Sequence, residues 1–394
     1  MSRRLVKRQD AASTSGSSQK NTMNNGKSTF GTVLDLPVML DNTHNNFIPL
    51  RDQFVSLLEE FLQVPSPSGR EEKMAALVRR HLDELGYAHE TDGAGNISVR
   101  LEGRNPDAPL CVFAAHMDEI GVVVTHIEED GILHVDRSGA LSPFKIGERP
   151  LQFLGDDGSI TGVLSFGSGH QSTFDQGIAW EDVHVITGLS KAQLIAKGIR
   201  PGSTGVPLAE GRGPILLGDA NDPMVAAWTF DDRAGVIMQL QLLQLLKEQN
   251  LQPPSPTIIA FTIHEEGGCH GAKILAHREK PEIFIAVDGC PWKPHSGVEV
   301  NDLPTTWSKD RAAHYDQRLI KVLFQAAKNA GTQCQTAVLT NARSDASAVY
   351  DSGACPRMGI LGHTRFNSHG FEVAKLNVFP NIVKTLVELF KLEW

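Results

Sequence analysis

With 394 residues the chain is longer than one hydrophobic core usually serves, which favours one large domain carrying a smaller one. A formal net charge of -9 argues against nucleic acid or an anionic membrane surface as a main partner, and no apolar run approaches the roughly 18 residues that cross a bilayer. The five cysteines, Cys111, Cys269, Cys290, Cys334 and Cys355, are odd in number and lack CxxC spacing, so free thiols in a reducing, cytoplasmic compartment are the expectation.

Residues 1–46 are rich in Ser, Asn, Lys and Arg without apolar periodicity and read as a disordered tail. The opening MSRRLVKR has the look of a transit peptide, but no secretory apolar core follows it. Order is expected from Phe47. Phe54, Leu57, Leu58, Phe61 and Leu62 share one helical face, and Pro65 ends that helix. Ser68 with Glu71 reads as a capping box opening a second helix, apolar at Met74, Leu77, Val78 and Leu82 and stopped by Gly86. Asn96–Leu101 and Leu110–Ala115 read as strands.

From Gly121 to about Pro223 the texture changes to short β runs broken by glycine (GVVVTHI, GILHVD, GSITGVLSF, DVHVITG), with one helix signal at 190–198. An inserted small barrel or sandwich fits. An alternating pattern then resumes. A helix spans 236–247, a buried strand 257–263, a helix 272–277 and a strand 283–287; a helix 318–330, a strand 336–339, a loop 343–346, a strand 358–361 and a last helix from Pro380 follow. The fold expected is therefore α/β, a mainly parallel mixed sheet with helices on both faces. The chain divides into a tail (1–46), a first part of the main domain (47–120), an all-β insertion (121–223) and a second part of the main domain (224–394).

Acidic and imidazole residues gather where these strands end. His116 follows one strand, Glu265 and Glu266 a second, and Asp288 a third; Asp231 precedes a helix and His369 lies in a loop beyond the last strand. Alone, His116 reads as a core histidine, Asp231 and Asp232 as helix caps, Asp288 as a turn residue and the Glu pair as the start of a surface loop. Together they occupy the edge where open α/β sheets build sites. Adjacent carboxylates leaving a buried strand repel each other and resist desolvation unless a cation compensates. Mixed imidazole and carboxylate donors suit zinc first, then cobalt or manganese. His116, Asp231, Glu266, Asp288 and His369 suffice for two divalent ions if one carboxylate bridges. Such a pair, about 3.5 to 4 Å apart, holds a hydroxide and clamps a carbonyl oxygen, leaving Glu265 as general base. Arg233 reads as an anchor for the neighbouring carboxylates.

The motifs HMD, DDRAG, HEEGGCHGA, VDG, SDA and SHGFE, with PSPSGREE and EDVHVITGLSKAQLIAKGI, resemble the two-metal aminopeptidases of metallopeptidase family 42, from about Pro49 to the C-terminus. The resemblance implies a zinc-aminopeptidase-like fold and removal of N-terminal residues from peptide substrates. It also implies a homo-oligomer of dimers, up to a dodecamer, with contacts made by the insertion. It assigns His116, Asp231 and Asp288 to one metal and Glu266 and His369 to the second, with Asp231 bridging. Glu265 is the implied base, and Asp118 the carboxylate that orients His116. Asp345 matches a recurrent position of unassigned role. Where the family commonly reads Arg-Tyr-x-His-Ser-x-x-Glu, the histidine here stands one place later, so His363 and His369 are both conceivable ligands; His369 fits better because His363 lies too near the strand end. A glutamyl preference would need cationic groups such as Arg343, Arg357 or Arg365. Two other readings use the same residues: an inactive peptide-binding scaffold, and a glycoside hydrolase acting through Glu265, against which the scarcity of Trp and Tyr speaks.

Overall fold

Six strands form the central sheet of the computed structural model, which describes residues 49–168 and 177–393. They are β1 (Glu90–Thr91), β2 (Ile97–Leu101), β3 (Cys111–His116), β4 (Thr257–Thr262), β5 (Ile283–Val287) and β6 (Arg357–Leu361), in spatial order β1-β2-β4-β3-β5-β6. β4, β3, β5 and β6 run parallel, whereas β1 and β2 form an antiparallel edge. The tail expected over residues 1–46 lies outside the described residues.

The side-chain period of two explains why β3 is buried at every position. Phe113 and Ala115 face one apolar core, Val112 and Ala114 the other. Helices Leu50–Leu62, Phe230–Glu248 and Val378–Lys391 cover the first face, and His270–Glu279 with Asp345–Asp351 the second. Phe379 anchors the first core: its ring stacks on Phe54 at 4.0 Å and lies 5.7 Å from Phe230. Fully burying an aromatic ring of this kind contributes about 1.5–3 kcal/mol. Among the described residues no helix is long and apolar enough to cross a membrane.

Between β3 and residue 224 the chain closes a six-stranded barrel: Gly121–Ile127, Leu133–Ser138, Pro150–Leu154, Ser159–Ser165, His184–Ile186 and Thr204–Pro207. Its interior is filled by alternate residues such as Val122, Leu151, Phe153 and Val185. The helix expected at 190–198 is Lys191–Ile195, capped by Ser190.

Four local readings are corrected. Ser68 and Glu71 form no capping box: Ser68 Oγ donates to Asp118 Oδ2 at 2.6 Å, and Glu71 Oε1 accepts from Gly69 N and His264 N. The strand near 336–339 is Gln335–Val338, which pairs with Thr305–Lys309 in a separate two-stranded sheet, since the central sheet already ends at β6. The loop at 343–346 is the start of helix Asp345–Asp351, because Ser344 caps it through Ser347 N. Arg233 anchors neither Asp231 nor Asp232; its guanidinium binds Glu119 and the carbonyls of Met117 and Val64.

Candidate metal centre

The parallel strands end at one edge, and their direction brings the acidic and imidazole residues together there. His116 is the last residue of β3, Asp288 directly follows β5, and Glu265 and Glu266 follow β4 after a two-residue bend at Ile263 and His264. The Asp231–Asp232 pair sits in non-helical geometry at the start of helix Phe230–Glu248, with a cis peptide between them. His369, in a left-handed conformation, is held by its N–H to Glu372 Oε1 at 3.1 Å and by Nδ1 against Ala140 O of the barrel region at 2.9 Å.

The distances separate two clusters that meet at Asp231. His116 Nε2 lies 3.0 Å from Asp231 Oδ1 and 3.9 Å from Glu265 Oε2. His369 Nε2 lies 3.4 Å from Asp231 Oδ2 and 3.7 Å from Glu266 Oε1. Ligand atoms of Asp231, Glu266 and His369 fall within 4.8 Å of one another, as do those of His116, Asp232 and Asp288. Asp232 is spent on backbone, accepting from His116 N and Gly235 N, and is fully buried, whereas Asp231 lines the cavity. Asp231 is therefore the member of the pair that faces the cavity, one of its oxygens also held by Arg365.

His363 is elsewhere. It is fully buried beside Phe230 and Phe379, and neither ring nitrogen has a hydrogen-bond partner. Burial and the nearby Arg365 hold its pKa well below the usual imidazole value. The displaced histidine of the last motif, His369, is thus the one that reaches Asp231 and Glu266.

The electrostatics fit a cation. Burial, with the repulsion of Asp231, pushes Asp288 up to about 7; burial does the same to Glu266, also to about 7. Glu265 is raised well above the usual carboxylate range by burial, with Glu266, Asp345 and Asp288 as repelling neighbours. Burial works against the imidazolium of His369, yet Glu266 and Asp231 outweigh it and bring its pKa to about 10. Glu266 Oε1 is buried without a hydrogen-bond partner. Carboxylates crowded out of water, one with an orphaned oxygen, are the donor set that a divalent cation compensates.

Several contacts around this set are not readable from the sequence. Asp118 is a hub: its two oxygens accept from Glu265 N at 2.9 Å and Glu266 N at 3.1 Å, as well as from Ser68. His116 Nδ1 lies nearer the Asp118 carbonyl, at 3.1 Å, than its carboxylate, at 3.4 Å. Cys269 Sγ donates to Glu265 Oε1 at 3.3 Å, and Thr262 Oγ1 to Asp345 Oδ2 at 2.7 Å. Arg365 pairs with Asp231 and with Glu372. A Cβ on Gly289 would stand 1.5 Å from Arg365 Nη1, which accounts for the glycine in VDG. Arg357, by contrast, pairs with Asp316 and is not in the cavity wall.

The sequence profile described as M42 glutamyl aminopeptidase matches residues 95–384. The chain belongs to the M42 family. It is 30% identical over 235 residues to a glutamyl aminopeptidase of Lactococcus lactis subsp. cremoris, covering 58% of this chain and 64% of that enzyme. It is 28% identical over 244 residues to a lysyl aminopeptidase of Pyrococcus furiosus, covering 59% and 65%. In both, the match spans a little under two thirds of the relative. The fold superimposes on the Pyrococcus horikoshii TET1 peptidase, described as assembling into a tetrahedron or a large octahedral shell, with a TM-score of 0.75, 26% identity and coverage of 86% of this chain and 99% of that one. An M42 fold thus carries the cavity of about 670 Å³ lined by Asp231, Glu265, Glu266, Asp288 and His369.

Proposed function

We propose that the protein is a metal-dependent aminopeptidase that removes N-terminal residues from peptides. What supports this reading is the convergence of His116, Asp231, Glu265, Glu266, Asp288 and His369 on one edge of the sheet in a chain of the M42 family. His116, Asp231 and Asp288 would hold one divalent ion and Asp231, Glu266 and His369 the other, zinc being the best match and cobalt or manganese next. When bound, the ions supply Lewis acidity toward a carbonyl and lower the pKa of water. Glu265 takes the proton of the attacking water as the new C–O bond forms, and gives it to the amine nitrogen as the C–N bond breaks. Its raised pKa suits it to hold that proton between the two events. Cys269 steadies Oε1, and Asp118 fixes the backbone on which Glu265 and Glu266 stand.

The cavity wall also carries four basic side chains, Lys145, Lys293, Arg311 and Arg343, from four separate segments. Among the described residues Lys145 and Arg311 have no side-chain ion pair, so their charge is free to meet an acidic substrate side chain. Of the two named specificities among the relatives, this wall favours glutamyl over lysyl. The 121–223 insertion is taken as a separate self-association domain; exposed Val163, Ile186 and Ile195 on it support a homo-oligomer.

The test is hydrolysis of a panel of aminoacyl-p-nitroanilides before and after EDTA, with zinc or cobalt restored. Loss with chelator, rescue by metal and fastest release from the glutamyl and aspartyl substrates are expected. Arg311→Glu should move the preference away from acidic residues. Metal binding without turnover of any substrate would instead support an inactive scaffold.

A further inference from the structure

Three histidines stand in one row on the outside of the barrel. His126 of strand Gly121–Ile127 pairs in register with His134 of Leu133–Ser138, which pairs with His184 of His184–Ile186. Each adjoins an inward residue, Ile127, Val135 or Val185, so all three project outward. The His126 and His134 rings have centroids 5.9 Å apart. Glu128 lies against both: its Oε1 is 3.0 Å from His134 Nε2 and its Oε2 3.8 Å from His126 Nε2. The His126 and His134 side chains are 60% and 42% exposed, so an ion from solvent can reach them.

Nothing in the barrel's packing calls for imidazoles here, since the core lies on the other face of these strands. Adjacent strands are about 4.8 Å apart, so the outer two histidines lie one strand away from His134 on either side, His126 next to a bulge in its strand. An ion above His134 is then within the reach of all three rings after side-chain rotation, at the roughly 2.0–2.1 Å that zinc–imidazole bonds require. Every one of these residues is separate from the cluster at the sheet edge.

We propose that this row is a second, surface metal site: one transition-metal cation of borderline softness held by His126, His134 and His184, with Glu128 as the fourth donor. Three imidazoles and one carboxylate select zinc, copper or nickel over magnesium or calcium. The ion ties three consecutive barrel strands together and so stabilises the barrel, because it binds the folded register and not the unfolded chain.

The full-length protein is stripped with chelator, dialysed and titrated with Zn²⁺ by calorimetry, with bound metal counted by elemental analysis. Wild type is expected to take up one more equivalent per chain than the His126→Ala/His184→Ala variant, while peptide hydrolysis after metal restoration is the same in both. His134→Gln, a conservative change checked by circular dichroism, should lose the same equivalent, and decides the matter if the double variant fails to fold. Glu128→Gln should weaken that equivalent by about 10- to 100-fold. Zn²⁺ should raise the melting temperature more in wild type than in His134→Gln. An equal metal count in wild type and His134→Gln, or Mg²⁺ occupying the extra site as tightly as Zn²⁺, would overturn the proposal.

Discussion

The carboxylate of Asp118 accepts the backbone N–H of Glu265 at 2.9 Å, although the side chain of Asp118 is fully buried and takes no part in the cavity wall. Asp118 therefore acts on the loop that carries both glutamates, as well as on His116. Asp118→Asn keeps one acceptor oxygen and replaces the other with an NH₂, so either the bond from Glu265 N or those from Glu266 N and Ser68 Oγ are lost. We expect metal affinity and kcat/KM to fall together by about 10- to 100-fold, measured by metal titration and steady-state kinetics. Ser68→Ala, which removes one of the three donors, should have a smaller effect in the same direction.

Cys269 donates to the proposed base, and a neutral hydrogen bond of this kind contributes about 0.5–1.5 kcal/mol. Cys269→Ala should thus lower kcat by up to about tenfold with little change in KM. Cys269→Ser, with a stronger donor of similar shape, should retain more activity than the alanine variant. Equal activity in all three proteins would remove Cys269 from the account.

Asp316 caps helix Gln317–Asn329 through the N–H groups of Arg318 and Leu319 and pairs with Arg357 Nε at 2.6 Å. Burial raises its pKa, but the hydrogen bonds from Arg357, Arg318 and Leu319 outweigh this and hold it below the usual value. A carboxyl depressed in the folded state stabilises the protein above its unfolded pKa of about 3.9 and loses that contribution as pH falls through the lower folded value. Asp316→Ala should cost about 1–2 kcal/mol near neutral pH, with the gap between variant and wild type closing below about pH 4. Chemical denaturation at several pH values reads this directly.

Phe379 is fully buried, between Phe54, Phe230 and His363. Phe379→Ala leaves a cavity under three helices and should cost about 3–5 kcal/mol. Phe379→Leu should recover much of it, as read by urea midpoints.

Much of this architecture was legible because the chain alternates plainly. Val112 to Ala115 and Ile258 to Phe261 are apolar throughout, as strands buried on both faces must be, and the residues that follow those runs, His116 and Glu265–Glu266, are the ones brought together at the sheet edge. What escaped was cooperation between distant residues. Nothing near Glu119 announces that its charge meets Arg212 and Arg233, both also fully buried and some hundred residues away. At Ser68 a Ser-x-x-Glu spacing looks the same whether it caps a helix or supports a carboxylate. The strand expected at 336–339 joins Thr305–Lys309 instead of the main sheet, and local pattern carries no information on which sheet a strand joins.

The barrel interrupts the chain directly after β3, and this sets an order on synthesis. β3 ends at His116, but its neighbours are β4, which begins at Thr257, and β5 beyond it. At about 5–20 residues per second, a ribosome needs roughly 7 to 28 s to supply those 140 or so residues. During that interval every barrel strand has already emerged and can pair with others nearby in sequence. Val112 and Phe113 have no sheet to enter until then. The first of the parallel strands to be made thus waits longest for a partner, so nascent-chain chaperones that shield apolar segments should be found on ribosomes stalled between residues 210 and 250.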